Sequence, residues 1–522
     1  MRDALWRTAI AIGATTASCV PTMAGCSAGL PDEAVDTTSA GIVTADRADA
    51  GATADAGATV DAAGAANAAD GSGTADAGAT ADAAGACGTR FVATGGDAAA
   101  ADDCRSDADP CATITQAIAA ACPGDTVSVG PGTFVENVVV DKALTIRGAG
   151  DATVIEPAAS APNPCSDSSL CGGAASSVVS VSAADVTLTR FALDGDNPAL
   201  TSGVVVGGAD VDARNGIITT GSAVVGGLVV RDVTVRNVYF RGIEAANGGS
   251  FRVEQSRVSN LSADPEAIGI FDSGGGGTIA DNAVTGAPAG IAANFSTGTT
   301  FARNRVTNAG GGIHTDNAGA LASSSPDVIE DNEVSACSAD GFGVFVFAPS
   351  LGVTVRANRV SGCSVGLADF GQGAAVQTRF VGNRVEARGV ADAIGLYVTT
   401  SEVGFGSSNA DVQVTRNAID GASVGILFEQ ESGFQVTADV QCNALRGDAQ
   451  GIVTQSSGVT IEHNAIAGGD PALDASSLPS TLDAPHNWWG CASGPGGARC
   501  GTVSNVDASP VAPTPPLCTF LL

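Results

Sequence analysis

Asn304-Arg-Val-Thr-Asn-Ala-Gly-Gly-Gly312-Ile313 and Asn358-Arg-Val-Ser-Gly-Cys-Ser-Val-Gly366-Leu367 are copies of one unit. In each, an apolar residue stands 3 places before the asparagine (Phe301, Val355) and another 2 places after it (Val306, Val360). A turn follows, then a glycine 8 residues after the asparagine with an aliphatic residue behind it. Outward from this pair the asparagine recurs as Asn282, Asn304, Asn332, Asn358, Asn383, Asn417, Asn443 and Asn464, at spacings of 22, 28, 26, 25, 34, 26 and 21. The same offset returns at Gly290, Gly425 and Gly451, and after Asn464 it reaches Ala472-Leu473. Ser256, Val233 and Phe191 take the asparagine's place in earlier copies, so the repetition begins near residue 186.

A period near 25 requires a stacked supersecondary unit of that size. Helical repeats of about 33 residues or more are too long, and leucine-rich repeats need regular leucines that are absent. Short alternating runs such as Val353-Thr354-Val355 fit strands, with apolar residues turned inward. Three strands and three turns per copy fit the length, with insertions confined to turns. Copies stacked at about 4.8 Å would make roughly twelve coils and a rod on the order of 55–60 Å. Equal positions then form columns. A carboxamide both donates and accepts, so stacked asparagines can bond along their column and to nearby backbone; the role is structural.

This ladder resembles that of the right-handed parallel β-helix (pectate-lyase-like) superfamily in its bacterial secreted and lipoprotein form. The opening agrees with it. Phe91-Val92-Ala93 reads as a strand, and Thr113-Ile-Thr-Gln116 as a capping box. Ile114, Ala117, Ile118 and Ala121 share one helical face, and Pro123-Gly124-Asp125 stops the helix. Strands are expected at 126–129, 135–140, 144–147 and 153–155. The resemblance implies that the helix plugs the first coil. The close, His486-Asn487-Trp488-Trp489-Gly490 with Gly494-Pro495 and 503–510, is similar to the closing segment of such proteins. It implies a cap in which Trp488 and Trp489 cover the last coil. The resemblance spans about residues 90–515. The expected fold class is therefore all-β: a right-handed parallel β-helix solenoid with a short N-terminal capping helix.

Register carries further expectations. Cys337 and Cys363 each lie five residues after their asparagine, within disulfide reach if coils stack. Cys104 and Cys111 could close an acidic loop, and Cys491 and Cys500 could staple the closing segment; Cys165 and Cys171 are further candidates. Arg257, Arg305, Glu333, Arg359 and Arg384, each one place after the asparagine slot, should point outward, with Glu333 between two arginines as a weak ion-pair ladder.

The N-terminus reads as an export signal, with Arg2 and Arg7 before an apolar run from Thr8 to Ala17. Thr22-Met23-Ala24-Gly25-Cys26 is similar to a lipobox, which implies acylation of Cys26; a plain secretory signal cut nearby is the alternative. Fourteen cysteines less Cys19 and Cys26 leave twelve, an even number without a CxxC pair, as for disulfides made outside the cytosol. Residues 27–86, with Asp49-Ala-Gly-Ala-Thr repeated at Asp76, hold too little bulky apolar surface to fold and read as a tether. The expected organisation is a signal over 1–26, linker over 27–86, cap and first coils over 87–160, repeats over 161–485 and a closing segment over 486–522. A net charge of −31 argues against nucleic acid. The expected partners are a polysaccharide or cell-surface glycan, with the membrane met only through a lipid anchor, and the chain is expected to be monomeric. The expected location is the outer membrane or cell surface, or else secretion.

Catalytic chemistry in β-helix enzymes usually sits on the face made by one strand of each coil. Taking the aliphatic residue after glycine as inward, the outward column is Glu244, Phe271, Ala292, His314, Phe345, Ala368, Tyr397, Leu427 and Val453. Phe271, His314, Phe345 and Tyr397 are the candidate binding residues, because ring faces stack on sugars; the competing reading buries them under turn insertions. His314 and Asp316 are the only catalytic candidates. Asp272, Asp316, Asp369 and Glu429 are spread over different coils, and no paired-carboxylate or lyase motif is present. The histidines His314, His463 and His486 are scattered, so no metal site is expected. No cofactor is expected either, with calcium alone left open by Asp194-Gly-Asp196-Asn197, a segment short for a calcium loop. The primary expectation is a non-catalytic, structural or glycan-binding surface lipoprotein; the alternative is a polysaccharide lyase or glycoside hydrolase acting on a uronate-containing polymer.

Overall fold

The computed structural model describes residues 87–519 except 99–102, 166–167, 221–223, 247, 317–324, 348–349, 372–375, 403–405 and 497–499. Cys26, the signal and the linker lie outside the described residues.

Each repeat closes into one coil. In the coil around Asn383, strand Val365–Asp369 is followed by Thr378–Val381, a bend at Asn383, and Arg384–Glu386. The next coil starts at Ile394–Thr399. All contacts between successive coils are parallel: Leu367 pairs with Leu396, Phe380 with Val414, and Val385 with Ile419. Repetition produces a 14-stranded parallel sheet on one side. The strands flanking the asparagine bend build a 25-stranded sheet. Inward residues such as Val355, Val360, Leu367, Phe380 and Ile426 fill a continuous apolar core.

The asparagine column is present along the whole run. Asn332, Asn358 and Asn383 each send a backbone N–H and a side-chain N–H to the carboxamide oxygen of the next. Ser256 occupies the slot below Asn282 and takes part in the chain of bonds. At the far end the ladder runs one step past Asn464. Asn464 donates to Asn487 at 2.8 Å, so Asn487 belongs to the column and not only to the cap.

The recurrent glycine has an equally physical cause. A Cβ on Gly366 would lie 2.5 Å from Val385 Cγ1 and 2.6 Å from the Gly395 carbonyl oxygen, closer than real carbons approach. Glycine lets adjacent strands of the 14-stranded sheet keep their spacing while the next residue turns inward.

The capping helix spans Ile114–Ala120 and buries Ile114, Ala117 and Ile118. The Thr113 hydroxyl accepts the Gln116 N–H at 3.0 Å, as a capping box requires, but Gln116 reaches back to Ala112 N–H instead of closing on Thr113. The first turn is held by Glu136, whose carboxylate accepts the N–H groups of Ile114 and Thr115 at 2.8 and 2.9 Å. The expected strand over 135–140 is two strands, Gly132–Val135 and Val138–Val140, because Glu136 leaves the sheet to make this cap. At the other end Trp489 is fully buried, whereas Trp488 extends a strand column through its carbonyl, which accepts the Ile466 N–H.

Six disulfides account for all twelve remaining cysteines. Cys337 and Cys363 join neighbouring coils with Cα atoms 4.8 Å apart. Cys104–Cys111, Cys165–Cys171 and Cys491–Cys500 close local loops. Cys87–Cys122 and Cys442–Cys518, absent from the sequence reading, tie the chain's described ends to the rod. Among the described residues no helix is long and apolar enough to cross a membrane.

Candidate functional site

The outward column of the 14-stranded sheet has the expected register. Glu244, Phe271, Ala292, His314, Phe345, Ala368, Tyr397, Leu427 and Val453 pair in that order. Its environment differs from an open groove. Phe271, His314, Phe345 and Tyr397 are all buried. A second outward column, including Ile268, Ala289, Phe342, Val365 and Ile394, runs beside it, and both join one apolar cluster separate from the main core. Phe347 and Phe370, at the ends of their strands, fold over it: Phe347 meets Phe345 edge-on at 5.2 Å and stacks on Phe370 at 5.2 Å. The ring faces offered to a sugar in the sequence reading are thus spent on one another. Two apolar columns side by side bury far more area against protein than against water, and burial wins.

His314 stacks on Phe345 at 4.7 Å. Burial pushes its pKa down to about 3, so the ring is neutral at any physiological pH. Its Nδ1 has no hydrogen-bond partner. Asp316 accepts the N–H of Phe295 instead of orienting His314, so the two candidates do not form a base and its carboxylate partner.

The acidic candidates are equally engaged. Asp272 accepts the Thr299 hydroxyl at 2.7 Å and the Gly275 N–H at 2.9 Å. Its pKa is raised to about 7, chiefly by burial, with Asp327 and Asp316 adding repulsion. Asp327 in turn accepts Ser296 and Thr315 hydroxyls and the Thr299 N–H. Asp369 is buried and accepts the N–H of Gly371. Glu429 accepts the Tyr397 hydroxyl, which fixes both at the edge of the aromatic cluster. Asp272 and Asp327 form one buried network through Thr299, whereas Asp369 and Glu429 are engaged separately on other coils.

At the N-terminal end of the same face Phe240 lies between two guanidinium groups, Arg214 at 4.3 Å and Arg241 at 3.6 Å from its ring centre. Arg241 also approaches Glu244, at 3.7 Å, and both are buried. Burial lowers the Arg241 pKa to about 10, which still leaves it charged, and raises that of Glu244. Ser168 and Ser169 lie against this group, their carbonyls accepting from Arg214 and Asn215.

On the opposite side, the column after the asparagines runs Arg305, Glu333, Arg359, Arg384 as expected. Only one rung pairs as expected: Arg305 meets Glu333 at 3.1 Å. Arg384 turns to Glu386 in its own strand, and Arg257 reaches Asp151. A recess of about 310 Å³ opens beside Arg359, Arg384 and Asp331. Asp194, the first residue of the calcium-like segment, is bound by Arg236 and Asn237, which occupy both of its oxygens.

His463 and His486, scattered in sequence, stack face to face on adjacent coils with centroids 5.1 Å apart. Placing Asn487 in the ladder would have revealed this, because each histidine immediately precedes its asparagine.

No curated protein sequence matches the chain. The family described as right handed beta helix region matches residues 215–385. Among solved structures, the catalytic domain of a GH87 alpha-1,3-glucanase in complex with tetrasaccharides is similar, with 15% identity and TM-score 0.45, over 64% of this chain and 63% of that one. The chain therefore spans less than two thirds of that glucanase's length. Pectate lyase Pel9A is similar at 14% identity and TM-score 0.35, over 68% and 79% of the two chains. PfbA, a surface adhesin of Streptococcus pneumoniae, is similar at 10% identity and TM-score 0.44, over 64% and 84%. Parallel coil pairing throughout, the unbroken asparagine ladder and the match over residues 215–385 agree: the chain has the fold of the right-handed parallel β-helix superfamily.

Proposed function

We propose that this protein is an exported, non-catalytic surface rod, held at the membrane by an acylated Cys26 through the low-complexity segment 27–86. The observation that carries this reading is the closed outward face. Phe271, His314, Phe345 and Tyr397 pack into a second apolar core where a catalytic β-helix would hold its polymer. General acid–base catalysis needs a titratable group within reach of substrate and a pKa near the working pH. His314 is neutral and enclosed, and the oxygens of Asp272 are taken by protein donors. Six disulfides in a chain of this kind fit an oxidising compartment outside the cytosol. Contact with glycan or another surface polymer then falls to the exposed turns and the arginine-bearing side of the rod.

Incubation with a panel of neutral and uronate-containing polysaccharides, read by reducing ends and by ultraviolet absorbance of unsaturated products, tests the reading. No turnover is expected. Turnover that disappears in His314→Ala or Asp316→Ala would overturn it in favour of a lyase or hydrolase. Cys26→Ala should move the protein from the membrane fraction to the medium.

A further inference from the structure

His463 and His486 occupy the slot immediately before the asparagine on two consecutive coils, 23 residues apart. Both have left-handed backbone, with φ of 59° and 60°. The same slot elsewhere holds Asp281, Arg303, Asp331, Ala357 and Arg416, all with positive φ. The bend thus accepts almost any side chain and points it into solvent, and nothing in the turn calls for imidazole. The core does not call for it either, because both rings are exposed. Their planes are 5° from parallel with centroids 5.1 Å apart. Among the described residues neither ring has a hydrogen-bond or ion-pair partner. The third histidine of the chain is the enclosed, neutral His314, so these two are its only exposed imidazoles.

We propose that His463 and His486 form a two-imidazole site for a divalent transition-metal ion of the borderline class, such as Cu²⁺, Ni²⁺ or Zn²⁺. Imidazole nitrogen binds such ions at about 2.0–2.1 Å. Two nitrogens on one ion must therefore converge to roughly 3 Å by that geometry. Rings on coils stacked about 4.8 Å apart reach this by rotating toward each other, and exposed side chains are free to do so. The stacked backbone holds the pair in register before binding, which removes most of the ordering cost. Cys442 lies one coil below in the same slot, but its sulfur is bound to Cys518 and supplies no ligand. Water completes the coordination shell, so the site is open on its solvent side. The order of affinity follows ligand chemistry: Cu²⁺ tightest, Ni²⁺ and Zn²⁺ weaker, Ca²⁺ and Mg²⁺ not bound, because the hard cations need oxygen donors.

The test is calorimetric titration of the processed full-length protein, disulfides intact, with Ni²⁺, Zn²⁺ and Ca²⁺ separately. Copper is followed by electron paramagnetic resonance for coupling to nitrogen. One ion per chain with micromolar affinity is expected for nickel and zinc, and none for calcium. His463→Ala and His486→Ala should each weaken binding at least tenfold while leaving the thermal unfolding transition in place, since both rings are exposed. His314→Phe should bind as the parent does. Unchanged affinity in both exposed-ring variants, or absence of nickel binding at millimolar ion, would overturn the proposal.

Discussion

Asn358 uses its whole hydrogen-bonding capacity. Its side-chain N–H groups go to the Ile329 carbonyl at 2.9 Å and to Asn383 at 3.0 Å, and its oxygen accepts two bonds from Asn332. Asn358→Ala strands the backbone N–H and one side-chain N–H of Asn332 and the Ile329 carbonyl, all buried, each costing about 1–3 kcal/mol. The variant should lose about 3–5 kcal/mol of stability by that reckoning, read as a lowered denaturant midpoint with unchanged slope. His314 offers a second test at this scale. Its folded pKa of about 3 lies below the unfolded value, so its contribution to stability is complete above roughly pH 6.5 and is lost as pH falls toward 3. His314→Phe, which keeps the stack on Phe345, should remove that acid-side loss; melting temperatures of the two proteins should diverge below pH 6.5 and agree above it. The ladder was legible in sequence because it repeats. The environment of His314 was not, because Phe347 and Phe370 come from turns outside the periodic part. Periodicity reports which side a residue faces, not whether something lies over that side.

Single elements show what the repeat left unread. The capping helix was recognisable from its apolar face and Thr113, but its firmest anchor, Glu136, lies between two strands about twenty residues on and has no sequence signature. Glu136→Ala leaves the N–H groups of Ile114 and Thr115 without their acceptor. A cost of about 2–3 kcal/mol is expected. Because each coil contacts only its neighbours, the damage should stay local. Hydrogen exchange should accelerate over 113–140 and remain at parent rates around Asn383. Uniform acceleration along the rod would contradict nearest-neighbour stacking. The closing segment gives the converse lesson. Reading His486-Asn487-Trp488 only as a cap stopped the ladder at Asn464, so the juxtaposition of His463 and His486 was missed although register alone would have given it. Cys442–Cys518 was beyond reach for another reason: Cys518 lies past the last repeat, where no register applies.

For the whole molecule, electrostatics and stacking make separate predictions. Asp272 and Asp448 both have pKa values raised to about 7, first by burial. In the unfolded chain they ionise near pH 4. Between about pH 4 and 7 the folded protein therefore holds protons that the unfolded chain releases, so this part of stability is complete at low pH and declines as pH rises through 7. Each carboxyl contributes a few kcal/mol over that window, against one opposing imidazole. The net charge of −31, which grows more repulsive as acids ionise, acts in the same direction. The protein should melt at a higher temperature at pH 5.5 than at pH 8. Stacking has a more direct readout in the native cross-link between coils. Cys337 and Cys363 are 26 residues apart and become neighbours only if equal positions of successive repeats lie one above the other. Peptide mapping of the unreduced protein by mass spectrometry should yield a single peptide pair joining Cys337 to Cys363; Cys337 joined to any other cysteine, or recovered as a free thiol, would contradict the stacked-coil account.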